Sequence, residues 1–97
     1  MTPEGAVKQK IKALFKAYGV YYVAPIMRGM NVNGTPDFVA CVRGSFLGVE
    51  AKAGDNKPTK LQCHNHTQIV GAGGVVLVVN QTNLATLEAY LREKTTT

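Results

Sequence analysis

The chain has 97 residues, 45% hydrophobic and 18% charged, the balance of an ordinary globular domain able to build one core without disulfides or a structural metal. It contains no long apolar run and no signal-peptide pattern at Met1-Thr2-Pro3-Glu4, which predicts a soluble, cytoplasmic protein without membrane association. Lys and Arg number 11 against 6 Asp and Glu, and the net charge of +5 points toward a polyanion without separating an enzyme from a binding module.

Thr2 is placed to cap a first helix, Pro3 suits its first position, and Val7, Ile11, Leu14, Phe15 and Tyr18 recur at helical spacing up to Gly19. Lys8, Lys12 and Lys16 form a stripe beside that apolar face, read as a solvated helix surface. Glu4 has two readings. As an acid in the first turn it stabilises the helix dipole; seven residues before Ile11, it also returns close to the azimuth of the apolar stripe and can reach a site at one end of the core. Tyr21-Tyr22-Val23-Ala24 reads as a short strand. From Met27 to Gly34 runs a polar loop in which Arg28 is a candidate DNA phosphate contact.

Phe38-Val39-Ala40-Cys41-Val42 and Phe46-Leu47-Gly48-Val49, parted by Arg43-Gly44-Ser45, read as a β-hairpin. A two-residue turn at either Arg43-Gly44 or Gly44-Ser45 puts Asp37 and Glu50 on one face, because opposed residues share a face and side chains alternate along each strand. A three-residue turn separates them. Lys52 projects from the same face as Glu50, while Leu47, Val49 and Ala51 turn to the other and can pack against a helix. Two adjacent carboxylates raise one another's pKa, a cost that a bound dication removes. Their hard oxygens favour Mg2+, with Mn2+ substituting and waters completing an octahedron, and Lys52 adds positive charge where a phosphate would react. The competing reading is a strand-start Asp with Glu50 and Lys52 on a solvated face. Against it, Glu50 ends a run that otherwise reads as buried, and Pro36 fixes the backbone at the strand entry.

Residues 53–58 read as a loop, and Thr59 as the cap of a helix running through about Val70. Near its start, Gln62 either orients a phosphate or a metal-bound water or faces solvent; Lys57 and Lys60 are candidate contacts to a DNA backbone. Cys41 and Cys63 are expected to be free thiols. Cys63, His64 and His66 do not converge on a helix as a zinc site requires, which leaves the histidines as a surface pair. Gly71-Ala72-Gly73-Gly74 connects to Val75–Val79, an unbroken apolar run expected to be covered on both faces. Leu84, Leu87 and Leu91 mark a last helix, with a frayed tail from Lys94 to Thr97. The order α-β-β-β-α-β-α predicts an α/β fold, a mixed β-sheet flanked by helices.

In Gly34-Thr35-Pro36-Asp37, Glu50-Ala51-Lys52 and Gln62, ordered after an early helical Glu4, the chain resembles the VRR-NUC domains, the virus-type replication and repair nucleases of the PD-(D/E)XK superfamily. The likeness covers most of the chain and implies one nuclease domain over residues 1–97 with a restriction-endonuclease-like core. It implies Asp37 and Glu50 as metal ligands with the Ala51 carbonyl as a third, Lys52 as the catalytic lysine, Glu4 as the acid of the first helix and Gln62 as the glutamine of the helix after E-x-K. His64 and His66 match no functional position of that family. Small stand-alone members are typically phage-encoded and resemble junction-resolving dimers. The resemblance therefore implies a Mg2+-dependent endonuclease acting on flaps or four-way junctions as a homodimer, in the host cytoplasm. The alternatives are a noncatalytic nucleic-acid-binding module with the same fold and a structural protein of a phage assembly.

Overall fold

Hydrophobic periodicity and capping residues divide the chain where the elements form. The structure, a computed structural model, describes residues 1–26 and 34–96. Its elements are α1 (Pro3–Ala17), β1 (Tyr21–Val23), β2 (Phe38–Val42), β3 (Ser45–Ala51), α2 (Lys60–Gly71), β4 (Val75–Val79) and α3 (Leu84–Thr95), the expected α/β order. The strands form one sheet in the order β1-β2-β3-β4, antiparallel except for the parallel pair of β3 and β4 that α2 connects. None of the described helices is long and apolar enough to cross a membrane.

Strand alternation gives the sheet one apolar face. Phe38, Ala40 and Val42 of β2 and Leu47, Val49 and Ala51 of β3 are buried there, under Val7, Ile11 and Phe15 of α1 and Leu87 and Leu91 of α3. Phe15, Tyr22 and Phe38 stack at one end of this core, with the Phe15 ring 4.8 Å from Tyr22 and 5.9 Å from Phe38. Thr2 Oγ1 accepts the Gly5 N–H at 3.0 Å and starts α1; the Tyr18 hydroxyl donates to Glu88 at 3.0 Å and ties α1 to α3. The helix α3 includes Lys94, where the tail was expected to begin, and Thr97 lies outside the described residues. The helix continues to Thr95, whose hydroxyl donates to the Leu91 carbonyl at 2.7 Å, while the Lys94 ammonium lies 5.9 Å above the Tyr90 ring.

On the opposite face lies α2 alone, with no fully buried residue. This thin cover corrects one expectation. Although Val75–Val79 is uniformly apolar, β4 is a sheet edge, and only its Val79 is fully buried; Val78 is 37% exposed. The apolar run reflects burial on the α1/α3 side and partial cover by α2, not two complete layers. Cys41 and Cys63 are exposed free thiols.

Two backbone conformations fix the hairpin and its approach to α2. Arg43 and Gly44 both have positive φ, 51° and 86°, the condition for a two-residue hairpin turn whose twist suits the strands. The turn pairs Val42 with Ser45 and Phe38 with Val49, so the same register carried one residue further sets Asp37 opposite Glu50. Before β2, Gly34 lies at φ 83° against the start of α2, where a Cβ would stand 2.4 Å from the Leu61 carbonyl oxygen and 2.9 Å from the Gln62 nitrogen.

Gly34→Ala is therefore expected to lower the melting temperature. Left-handed strain alone costs about 1–3 kcal/mol, each worth roughly 4–8 °C in a domain of this size, before the collision with α2 is added. Gly71→Ala, within α2 and with open space around its Cβ position, is expected to be neutral or stabilising by up to about 1 kcal/mol. Thermal unfolding of both variants beside the parent checks the contrast.

Candidate metal and phosphate site

Glu50 is the one charged side chain inside the described core, 2% exposed and placed on the α2 face of β3 by strand alternation. Its carboxylate receives two hydrogen-bonding partners from one helix. Gln62 Nε2 donates to Oε2 at 3.1 Å, and His66 Nε2 lies 3.3 Å from Oε1. Gln62 is itself held by a reciprocal cap: its Oε1 accepts the Thr59 N–H at 2.8 Å, and its own N–H donates to Thr59 Oγ1 at 3.2 Å.

Asp37, across the hairpin, accepts the Ala51 N–H on Oδ2 at 2.8 Å, and its Oδ1 lies 3.4 Å from the Lys8 ammonium. Lys8 also lies 3.8 Å from Glu4, one turn earlier on α1. Burial first, then the hydrogen bond and charge of Asp37, push the Glu50 carboxyl up to about 8; Lys52 opposes that shift and Glu4 adds to it. Glu4, Asp37, Glu50 and Lys52 thus share one electrostatic neighbourhood. Glu4 also stands in the first turn of α1, where an acid favours the helix dipole. Burial, helped by the charge of Lys52, lowers the His66 pKa and keeps the imidazole neutral at neutral pH.

The placement of the other expected residues is uneven. Lys57 and Lys60 are exposed on the loop and first turn leading into α2, outside the carboxylate cluster. Arg28 lies outside the described residues. Lys8 belongs to the site rather than to a solvated stripe, because its side chain folds back between Glu4 and Asp37. The surface-pair reading holds for His64, which is exposed and bonds Gln68 at 3.1 Å. It fails for His66, whose side chain is 13% exposed and faces Glu50. The signal was available: Gln62 and His66 are four apart on one helix, so whatever Gln62 faces, His66 faces too.

Among the described residues no three His, Cys, Asp or Glu side chains gather closely enough to hold a metal by themselves. The donor set is two carboxylates, Asp37 and Glu50, with the Ala51 N–H bonded to Asp37. That composition fits a hard oxygen-seeking cation that keeps several waters, and does not fit zinc. The raised Glu50 pKa fits the same conclusion, since two close acids with too little positive charge between them are what a dication neutralises.

A raised carboxyl pKa makes the metal-free fold less stable as pH rises. From about pH 4.5 to about 8 the folded state keeps a Glu50 proton that the unfolded chain has lost, and stability falls across that window by up to about 1.4 kcal/mol per pH unit. Glu50→Gln keeps an acceptor for Gln62 and removes the titration. In a chelator, its melting temperature is expected to exceed the parent's by a margin that widens toward pH 8; parallel curves across the window would contradict the assignment.

No family model matches the sequence, and no curated protein matches it. A solved structure described as a VRR_NUC domain superposes on this one with a TM-score of 0.76 at 27% sequence identity, covering 93% of this chain and 98% of that one. Both chains are thus spanned almost end to end by one shared fold. With Gly34-Thr35-Pro36-Asp37, Glu50-Ala51-Lys52 and Gln62 set on it in that order, this chain has the fold of a VRR-NUC domain, a nuclease-type fold.

Proposed function

We propose that the protein is a metal-dependent endonuclease that hydrolyses DNA phosphodiester bonds, with Mg2+ as the natural ion and Mn2+ as a substitute. The observation that carries this reading is the buried Glu50 carboxylate set opposite Asp37, with Lys52 beside both, on a VRR-NUC fold. Asp37, Glu50 and the Ala51 carbonyl would hold the ion. When bound, such an ion supplies Lewis acidity toward the scissile phosphate and a lower pKa for a water nucleophile.

The remaining work falls to the chain. Lys52 carries its ammonium beside the carboxylates, where it stabilises negative charge developing on the phosphate oxygens and on the attacking oxygen. Gln62 holds Glu50 in place through its amide, and Glu4 sets the local potential from the end of α1. Lys57 and Lys60, exposed where the chain enters α2, would grip flanking phosphates and fix the register of the backbone without reading bases. A branched substrate such as a flap or a four-way junction suits a small domain with one carboxylate pair per chain. Paired incisions on such DNA require two chains, which makes a homodimer the expected working unit.

The test is cleavage of linear, flapped and four-way DNA in Mg2+ or Mn2+. The parent is expected to cut a branched substrate. Lys52→Ala is expected to lose about 10²–10³-fold in rate, the usual cost of one electrostatic donor, while Asp37→Ala loses cleavage and still binds DNA in Ca2+. Binding without cleavage by the parent under every metal condition would leave a noncatalytic nucleic-acid-binding module.

A further inference from the structure

We propose that His66 is a positioning residue for Glu50, its imidazole N–H holding one oxygen of the buried carboxylate so that the group is presented toward Asp37. The inference rests on the reading of Asp37 and Glu50 as a metal site, and extends it to a residue that neither the sequence motif nor the family resemblance assigns.

An ionised carboxylate only accepts hydrogen bonds, so the contact at 3.3 Å between His66 Nε2 and Glu50 Oε1 places the imidazole proton on Nε2 whenever Glu50 is charged. Gln62 Nε2 claims the other oxygen at 3.1 Å. Each carboxylate oxygen has two acceptor positions, so one donor apiece leaves both oxygens able to meet a cation. Gln62 and His66 stand four residues apart on α2 and grip the two ends of a single group, while the Thr59 cap fixes Gln62 and hence the first turn of the helix. With 13% of the His66 side chain and 2% of the Glu50 side chain exposed, water competes weakly for this contact. Burial alone would not require a donor here; the pairing of two donors on two oxygens is what defines the direction of the carboxylate. Partners that orient metal-ligating groups typically contribute 10–100-fold in metal affinity or activity.

The experiment is calorimetric titration of the full chain with Mn2+ alone, without DNA, for the parent and for His66→Ala, His66→Phe, His66→Gln, His64→Ala and Asp37→Ala. His66→Ala is expected to weaken Mn2+ binding by about tenfold or more. His66→Phe keeps ring volume without a donor and is expected to weaken it similarly, which covers the case in which the alanine variant fails to fold. His66→Gln restores a donor and is expected to recover most of the affinity, whereas His64→Ala, two residues away on the outer face, is expected to match the parent. Parent-like Mn2+ affinity in folded His66→Phe or His66→Ala would overturn the role of His66 while leaving the metal site intact. Absence of Mn2+ binding by the parent, or parent-like binding by Asp37→Ala, would overturn the metal site and the inference together.

Discussion

A carboxylate inside a sheet is the constraint around which the rest of this chain is arranged. Glu50 occupies a strand position that alternation directs at α2, and β3 is buried on both sides of it, so water does not reach the charge. An unpaired buried carboxylate costs several kcal/mol or gives up its charge. The protein answers with an amide and an imidazole from α2 and an ammonium just past the end of β3, while a second acid across the hairpin makes the need for positive charge greater. Such a site is costly for a small fold to maintain, and burial beside a second acid makes Glu50 hold its proton far above the usual carboxylate range.

The apolar side of the sheet makes this expense tolerable. Phe15, Tyr22 and Phe38 form one cluster, Leu47, Val49 and Ala51 another row, and α1 and α3 close over both, so the stability of the fold resides mainly on the face away from the acids. The α2 face carries the polar constellation with only one helix over it and no fully buried helical residue. Division of labour between the two faces follows directly from period-two alternation along β3, where odd positions build the core and Glu50 on the even series builds the site.

Much of this was legible in the residues. The hairpin register followed from Arg43-Gly44, the helix starts from Thr2 and Thr59, and the convergence of Asp37, Glu50 and Lys52 from counting along two strands. What was not legible depended on tertiary placement. Lys8 looked like one lysine of a solvated stripe because sequence periodicity reports a helix face, not which loop approaches it; Asp37 comes to that face from a strand entry far along the chain. His66 looked like half of a surface pair because His64 lies on the surface, though the two point about 160° apart around the helix. The cover of β4 was overestimated since an apolar run records what each residue tolerates, while edge or centre is decided by the order of strands in the sheet.

One amide side chain, that of Gln62, clips the first turn of α2 with its oxygen and reaches the buried acid with its nitrogen. Those two duties restrict what position 62 can hold. Glutamate would serve the turn and set a third anion against Glu50; asparagine is a methylene too short to span both; a cation would match the acid and abandon the turn. Folding of the helix and readiness of the acid are thereby vested in a single functional group, so the chemistry at Glu50 is set in place by the same event that begins the helix.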